Sequence, residues 1–455
     1  MIRPTSSQME AIVDIASADR PVTRLHGYAG TGKTSVVATQ AIAALERQGV
    51  SVQVLAPTGK AARVLRSKGL HGAATIHSYL YTPSKRERLA WRESWDEFVT
   101  RVDAAKPKLL PLLAAIDTAA PETPVDDEWD QIAAKLPKKL AEQAKALREA
   151  RRFELAFNAA GAIAHYEESG YPACEVLLID EASMVSDQVA SDLLRTGSRL
   201  VFVGDPAQLP PVKAQRSLQA MGAPHHLLTK VHRQAGGSPV LELATEIRKS
   251  IVPEVPLTKP KRLLALEDYD QVLCWRNATR ERVNAEIRRR LGRRDPMMPE
   301  HGDRLICIKN TKPKDEEIRQ WMNGEQVTVL DAQRSGGKDS GTLALTVMDD
   351  DGIEHEVFSP AETFAGHKAE QAFLDRSMWG SPDPAWAFGF AITVHKSQGS
   401  EWGNLLLVDE SSDMISLTAR REGRAAAIDQ ARQWLYTAVT RARDRVDVVR
   451  SIHGV

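Results

Sequence analysis

The stretch Leu25 to Ser35 reads LHGYAGTGKTS, and no other segment constrains the possible folds of this chain as strongly. It satisfies the pattern G-x-x-x-x-G-K-[ST], with Gly27, Gly32, Lys33 and Thr34 at the fixed places. The pattern of a short strand precedes it, and an apolar-periodic helix that stops at Gly49 follows it. A glycine-rich turn that merely opens a helix is the alternative, but the strand, turn and helix in this order favour a phosphate-binding loop.

We expect this loop to bind a nucleoside triphosphate together with Mg²⁺. Small residues let backbone N–H groups turn inward around phosphates, and the N-terminus of the following helix adds a favourable field for anions. Lys33 would reach the β- and γ-phosphates, and the hydroxyl of Thr34 would hold Mg²⁺. The other residues of the loop predicted to contact the nucleotide are Gly30, Thr31 and Ser35.

Length and composition exclude several classes of protein. A chain of 455 residues is too long for one hydrophobic core, and 42% hydrophobic with 26% charged residues is ordinary for a soluble globular protein. No apolar run approaches the ~20 residues of a membrane span, and the N-terminus lacks the apolar core of a signal peptide. Cys174, Cys274 and Cys307 are far apart, which favours a reducing compartment and disfavours a structural zinc. We therefore expect a cytoplasmic protein without membrane contact.

The net charge is zero, but arginines are concentrated in one segment. Only Glu281 and Glu286 oppose them there. Two interpretations are open, namely a confined basic surface for nucleic acid and a solvated helix face. The eight arginines of this run are Arg276, Arg280, Arg282, Arg288, Arg289, Arg290, Arg293 and Arg294.

The pattern of elements predicts an α/β fold with two cores, each interrupted by an insert. Strand and helix signals alternate from residue 20 to 80, resume at CEVLLIDEAS, and start again with QVLCWRN near Asp270. The pattern of residues 83–164 predicts a charged helical segment, with few strand signals. Between Gly302 and Phe364 short strand patterns surround the turn DDDG, which predicts a small antiparallel sheet or barrel.

Two acids after an apolar strand complete the predicted nucleotide site. Asp180, at the carboxyl end of the strand LLID, can hold Mg²⁺ through water, and Glu181 can polarise an attacking water. Gln208, on the loop GDPAQLPPV after the next strand, can sense the γ-phosphate. Arg441, predicted on a helix, and Arg233 are candidates for stabilising charge on the transferred phosphoryl group from the second core.

The sequence resembles superfamily 1 helicases, because segments similar to the motifs of that family occur in the same order over nearly the whole chain. GYAGTGKT is similar to motif I, APTGKAA to motif Ia, LLIDEAS to motif II and VGDPAQLPPV to motif III. VHRQ is similar to motif IV, TVHKSQGSEW to motif V and YTAVTRAR to motif VI. The segments LAPTGKAA, TIHS, DPAQLPPV and TVHKSQGSE resemble those of the RecD and Dda group.

The resemblance implies two RecA-like P-loop NTPase cores with parallel sheets, a helical insert in the first core and a small SH3-like β insert in the second. The implied bounds are 1–82 and 165–235 for core 1, 83–164 for its insert, 236–300 and 366–455 for core 2, and 301–365 for the β insert.

It also implies roles for individual residues. Gln8 stands where the family has a glutamine that reads adenine. ATP and Mg²⁺ would lie between Lys33 and Glu181 on one side and the two arginines on the other. Motif V would add nucleotide contacts from Gln398, Gly399 and Glu401. The residues expected to grip the backbone of nucleic acid are Pro57, Thr58, Lys60, Thr75, His77, Thr393, His395, Lys396 and Ser397.

The activity implied is translocation 5′ to 3′ on single-stranded DNA, with unwinding of duplex DNA by ATP hydrolysis. Single-stranded and forked DNA are the expected partners, together with a single-strand-binding or replisome protein, and we expect a monomer. The chain begins almost at Gln8, so we expect no further N-terminal domain. Its first insert is long and helical, where phage-type members carry a short β-hairpin pin.

Two other functions remain open at this point. The first is an RNA or ribonucleoprotein helicase on the same cores, since only contacts to the 2′-hydroxyl would distinguish the two nucleic acids. The second is a nucleic-acid-binding accessory factor in which ATP only switches affinity. Glu181 disfavours the second, because a switch without turnover does not need an acid that activates water.

Overall fold

The protein is described by a computed structural model. It describes residues 3–18, 20–80, 174–211, 217–231, 238–251, 255–258, 269–311, 319–335, 341–376 and 384–450. Packing divides the chain into two units, one of Met1–Ile76 with Ala173–Val455 and one of His77–Pro172. The predicted helical insert at 83–164 lies outside the described residues.

The described strands number fifteen and are labelled in chain order. They are β1 Val22–Gly27, β2 Val52–Ala56, β3 Ala74–Thr75, β4 Val176–Ile179, β5 Arg199–Gly204, β6 His226–Leu228, β7 Gln271–Cys274, β8 Arg304–Cys307, β9 Gln326–Ser335, β10 Thr342–Asp349, β11 Glu354–Pro360, β12 Trp386–Phe388, β13 Ala391–Thr393, β14 Trp402–Val408 and β15 Ala442–Val449.

The described α-helices are labelled in the same way. They are α1 Ser6–Ser17, α2 Thr39–Arg47, α3 Gly59–Ser67, α4 Ile76–Leu80, α5 Asp187–Arg195, α6 Leu218–Met221, α7 Pro239–Lys249, α8 Asn277–Arg290, α9 His367–Arg376, α10 Ser411–Glu422 and α11 Arg424–Val439. A π-helical turn, Lys33–Ala38, leads directly into α2.

The first core is a six-stranded parallel sheet in the order β3-β2-β4-β5-β1-β6. Its central strands are buried on both faces, which explains their continuous apolar sequence in place of alternation. Leu25, Val37, Leu178 and Val203 form part of the hydrophobic core between sheet and helices. Because the strands are parallel, the residues that follow β1, β4 and β5 meet at one edge of the sheet.

The second core is a four-stranded parallel sheet in the order β13-β7-β14-β15. Helix α11 packs on it through Ala431, Trp434, Leu435 and Ala438, all fully buried. The two parallel sheets confirm the predicted α/β class with two RecA-like cores.

The remaining strands form a five-stranded antiparallel sheet in the order β11-β10-β9-β8-β12. The turn between β10 and β11 lies at the predicted DDDG, where the carboxylate of Asp349 accepts hydrogen bonds from the backbone of Asp351 and Ile353. Trp321 and Trp386 meet edge to face in its core, with ring centroids 5.1 Å apart. The edge strand β12 comes from beyond residue 365. The likeness to an SH3 fold stays a prediction.

Neither interpretation of the arginine run describes most of it, because these side chains pair with carboxylates of the same chain. Arg280 and Arg288 are buried, and their partners are Glu370 and Asp303. The other described ion pairs of the run join Arg276 to Glu410 and Asp413, Arg289 and Arg290 to Glu286, and Arg293 to Glu300 and Asp303. Arg276, Arg280 and Arg288 therefore fasten α8 to neighbouring elements, whereas the pairs of Arg289 and Arg290 lie within the helix.

Two further findings bear on compartment and chemistry. None of the helices in the described ranges is long and apolar enough to cross a membrane. Cys174, Cys274 and Cys307 all carry free thiols. Burial raises the pKa of the Cys307 thiol to about 12, so this group is unreactive at neutral pH.

We predict that Arg288→Ala destabilises the fold far more than Arg289→Ala. Arg288 donates to the buried carboxylate of Asp303 and to the carbonyls of Asp295 and Met298. Breaking a buried pair leaves an uncompensated charge and costs about 3–5 kcal/mol. Arg293, 3.8 Å from the same carboxylate, compensates in part, so we expect the lower end of that range.

The measurement is the free energy of unfolding from urea titration. Arg289 is 72% exposed in its pair with Glu286, so its removal should cost less than about 0.5 kcal/mol. Equal losses in the two variants would contradict the structural role given to Arg288.

Candidate functional site

The glycines of the P-loop are required by its backbone geometry. Gly30 and Gly32 have φ angles of 75° and 77°, in the left-handed region that side chains disfavour. A Cβ atom on Gly27 would lie 2.7 Å from Thr31 Oγ1, and one on Gly32 would lie 2.8 Å from Gln8 Nε2. The loop therefore keeps the tight turn that a phosphate cradle needs.

The donors and acceptors of the loop fit a magnesium nucleotide. Lys33 Nζ donates to the carbonyls of Gly27 and Tyr28, at 2.7 and 3.0 Å, which holds its positive charge over the loop. Thr34 Oγ1 donates to Asp180 Oδ2 at 2.9 Å. A hydroxyl and a carboxylate oxygen so close together are the hard oxygen ligands that Mg²⁺ prefers.

Gln8 holds the loop from behind. Its Nε2 donates to Thr31 O at 2.9 Å, and its Oε1 accepts from the backbone N–H of Thr5 at 2.9 Å in the capping box of α1. The amide thus joins helix and loop, and its reading of adenine stays a prediction. Ser35, also predicted at the nucleotide, is exposed.

Glu181 has an unusual backbone and a perturbed carboxyl group. Its φ of 51° makes it the one described non-glycine residue in the left-handed region, a strain typical of functional sites. Burial raises the pKa of its carboxyl, and the negative charge of Asp180 adds to the effect. The positive charges of Arg441 and Lys33 oppose that rise in pKa. One carboxylate therefore feels a cation from each core.

Arg441 does not lie on a helix, contrary to the prediction. Helix α11 ends at Val439, and Arg441 follows it in the turn before β15, where its carbonyl accepts a hydrogen bond from Trp402 N. The guanidinium is 5% exposed and donates to Thr437 O at 3.1 Å. The bond fixes the guanidinium, whose positive charge lowers the pKa of Glu181 in the first core.

The end of α11 touches the first core directly. Tyr436 Oη accepts from the backbone N–H of Ala29 in the P-loop at 2.9 Å and donates to Asp205 Oδ2 at 2.8 Å. Thr437 Oγ1 accepts from the N–H of Leu209 at 2.9 Å. Tyr436 and Asp205 are not among the residues predicted at the site, although both lie inside the strings that resemble motifs VI and III.

The remaining nucleotide candidates are dispersed. Gln208 and Gln398 are buried, and Gln398 Nε2 donates to Leu209 O at 3.3 Å. Gly399, with φ 78°, packs against Ala61 of α3. Glu401 is exposed. Arg233 lies outside the described residues.

A cavity of about 400 Å³ adjoins the P-loop. Its walls include Tyr28, Thr229, Arg248 and Tyr436. The Arg248 guanidinium lies 3.7 Å from the centre of the Tyr28 ring, a cation–π contact. An aromatic face beside a phosphate cradle suits a planar base.

In the APTGKAA segment, two candidates for the nucleic-acid grip are already engaged. Thr58 Oγ1 caps α3 by accepting from Ala61 N at 3.1 Å. Lys60 Nζ donates to Gly324 O at 3.2 Å and lies 5.4 Å from the Trp402 ring. Burial lowers the pKa of Lys60. Pro57 is half-buried beside them, and their contact with nucleic acid stays a prediction.

The other grip candidates fall in two places. Thr75 and His77 lie at β3 and α4. In the HKSQG segment, Ser397 is fully buried and donates to Val394 O, so a direct contact with nucleic acid requires this turn to move. Thr393 ends β13 and is largely buried. His395 and Lys396 are half-buried, and burial lowers the pKa of His395 and brings that of Lys396 to about 8.

These features define a P-loop NTPase architecture with two parallel-sheet cores. The AAA domain family matches residues 3–259, more than half of the chain, so the chain belongs to this family. The UvrD-like helicase C-terminal domain matches residues 388–449. Together the matches place it among the superfamily 1 helicases.

The chain is also similar to one named relative and to several solved structures. The chain is 29% identical over 299 residues to the ATP-dependent RecD2 DNA helicase of Deinococcus radiodurans. The match covers 62% of this chain but 36% of that protein. A structure of Pif1 helicases that concerns unwinding at forked double-stranded DNA matches with a TM-score of 0.50 and 18% identity, covering 100% of this chain and 93% of that one. A single-strand-bound Pif1 from Bacteroides matches with a TM-score of 0.47 and 15% identity, covering 100% and 93%.

Lys33→Ala should weaken binding of a fluorescent ATP analogue with Mg²⁺ by about tenfold to a hundredfold. The loop would lose the charged donor for the phosphates, and such hydrogen bonds contribute roughly 1.5–3 kcal/mol. Lys68→Ala, which removes an exposed lysine just past α3, is the control and should bind as the wild type does. Unchanged affinity in Lys33→Ala would exclude this loop as the phosphate site.

Proposed function

We propose that this protein is an ATP-dependent DNA helicase that translocates 5′ to 3′ on single-stranded DNA and unwinds duplex DNA. The observation that carries the proposal is the shared carboxylate of Glu181. Lys33 of the first core and Arg441 of the second both act on it. A nucleotide site completed by two cores is what a motor requires, because hydrolysis then changes how the cores contact each other.

Each residue of the site has a task in hydrolysis. Lys33 and the backbone N–H groups of the loop bind the phosphates, and Glu181 accepts the proton of the attacking water. Arg441 neutralises charge that develops on the transferred group. Mg²⁺, held by Thr34 and Asp180, would supply further neutralisation of the phosphate oxygens when bound.

The partners we propose are single-stranded and forked DNA. A relative of the chain is named a DNA helicase, and structural neighbours are described with forked and single-stranded DNA. Arg282 and Arg294 aside, the described arginines of the basic run are committed to ion pairs, so the grip falls to residues around α3 and β13. We further propose a cytoplasmic monomer that works with a single-strand-binding or replisome protein.

Glu181→Gln should bind ATP within about threefold of the wild type but hydrolyse it about 10²–10⁴ times more slowly, because the water loses its proton acceptor. Phosphate release with saturating single-stranded DNA measures the rate. Glu175→Gln, which alters an exposed carboxylate at the other end of the same strand, is the matched control. Near-normal turnover in Glu181→Gln would remove the role given to this acid.

Strand displacement on matched forks tests the whole proposal. A duplex with a 5′ single-stranded tail should be opened, and the same duplex with only a 3′ tail should stay largely intact. An RNA strand in the tail should stimulate ATP turnover less than DNA. Preferential opening of the 3′-tailed substrate would refute the direction, and stimulation by RNA alone would refute the substrate.

A further inference from the structure

We propose that Tyr436 is a positioning residue that makes the delivery of Arg441 depend on the state of the P-loop. The inference rests on the proposed ATPase function and deepens it. No residue of the predicted nucleotide set performs this task, since Lys33, Glu181 and Arg441 would each act on the nucleotide itself.

The hydroxyl of Tyr436 is the meeting point of three elements. It is carried by α11 of the second core, it accepts from Ala29 N in the P-loop, and it donates to the Asp205 carboxylate after β5. Tyr436 is 2% exposed and Asp205 is 0% exposed. The bond to Asp205 is therefore made away from water, where a hydrogen bond to a charged group is strong, and the bond to Ala29 is partly buried.

The proton of this hydroxyl is fixed in direction. Burial and the negative charge of Asp205 keep the pKa of Tyr436 well above its ordinary value. The hydroxyl thus stays a donor toward Asp205 and leaves a lone pair for the N–H of Ala29. Asp205 is itself oriented by the N–H of Ala207, which donates to its other oxygen at 3.0 Å.

The Ala29 amide, which donates to Tyr436, belongs to the phosphate-binding loop. Ala29 is the third residue of the pattern that begins at Gly27, and N–H groups of such a loop turn toward phosphates. A change in the conformation of the loop therefore changes the bond to Tyr436. The nucleotide phosphates and the Tyr436 hydroxyl would therefore both contact the backbone of the P-loop.

A change at Tyr436 would affect Arg441 through the end of α11. Thr437, the next residue, accepts from Leu209 N and gives its own carbonyl to the guanidinium of Arg441. The segment from Tyr436 to Arg441 thus binds the P-loop, the loop after β5 and the surroundings of Glu181 within six residues. Without the Tyr436 hydroxyl, α11 would stay packed on its own sheet. Its position relative to the first core would no longer be fixed by this hydrogen bond.

The test is Tyr436→Phe, which keeps the ring and removes only the hydroxyl. Tyr269→Phe is the matched control, because Tyr269 is also buried and donates to a buried carboxylate, Asp447, but entirely within the second core. We expect kcat of the DNA-stimulated ATPase to fall at least tenfold in Tyr436→Phe, with KM for ATP within about threefold. Tyr269→Phe should keep the wild-type kcat, and both variants should lose similar thermal stability.

Several outcomes would overturn the inference. Wild-type kcat in Tyr436→Phe would reduce the contact to packing. Parallel losses of kcat, ATP affinity and stability beyond those of Tyr269→Phe would make the role purely structural. An equal loss of kcat in both tyrosine variants would have the same meaning.

Hydrogen exchange of residues 424–439 separates this inference from the proposed function. A non-hydrolysable ATP analogue should change the exchange of this segment in the wild type and in Tyr269→Phe, but not in Tyr436→Phe. That readout needs no turnover, so it decides the role of Tyr436 even where the wild type fails to hydrolyse ATP. Equal responses in all three proteins would reject the coupling.

Discussion

A carboxylate removed from water must be matched by a donor or a cation, and the centre of this molecule is built around three such groups, of which Asp180 and Asp205 are buried and Glu181 is half-buried. Asp180 receives the hydroxyl of Thr34, Glu181 lies in the field of Lys33 and Arg441, and Asp205 receives the hydroxyl of Tyr436. The three acids follow neighbouring parallel strands, β4 and β5, so the sheet itself brings their charges together. Satisfying all three requires groups from the P-loop and from the second core, which is why the cores meet where they do.

Much of this arrangement could be predicted because its signals are local. The glycines of the P-loop reflect backbone angles that are set within a few residues. Apolar strands that end in acids indicate the carboxyl edge of a parallel sheet. Both parallel sheets, the DDDG turn and the helix limit near Gly49 were predicted in this way. Arg441 was placed on a helix because its flanking residues favour one, but the backbone bond to Trp402 ends the helix earlier.

Other features depend on partners that no local pattern reveals. Tyr436 and Asp205 are separated by 231 residues, and Lys60 and Gly324 by 264. The arginine run between 276 and 294 predicts exposed charge. However, Arg280 donates to Glu370, which lies 90 residues away in the sequence. The sign of a charge can be read from the sequence, but whether the side chain is paired inside the fold depends on which residues the topology brings together.

The docking of α3 against the β insert has a mechanical consequence. Lys60 reaches Gly324, Arg63 pairs with Glu325 at 2.8 Å, and Met322 packs so closely on Gly59 that a Cβ there would lie 2.7 Å from its side chain. The insert in turn is fastened to the second core, where Gln326 Nε2 donates to Gln271 Oε1. The first core thus contacts the rest of its unit at Tyr436 and Thr437 and again around α3, where Gly399 and the Trp402 ring also lie beside Ala61 and Lys60. A relative displacement that opened the contacts of Tyr436 and left those of α3 in place would be a rotation about α3, so the position of this docking site would set the direction in which the cores can swing apart.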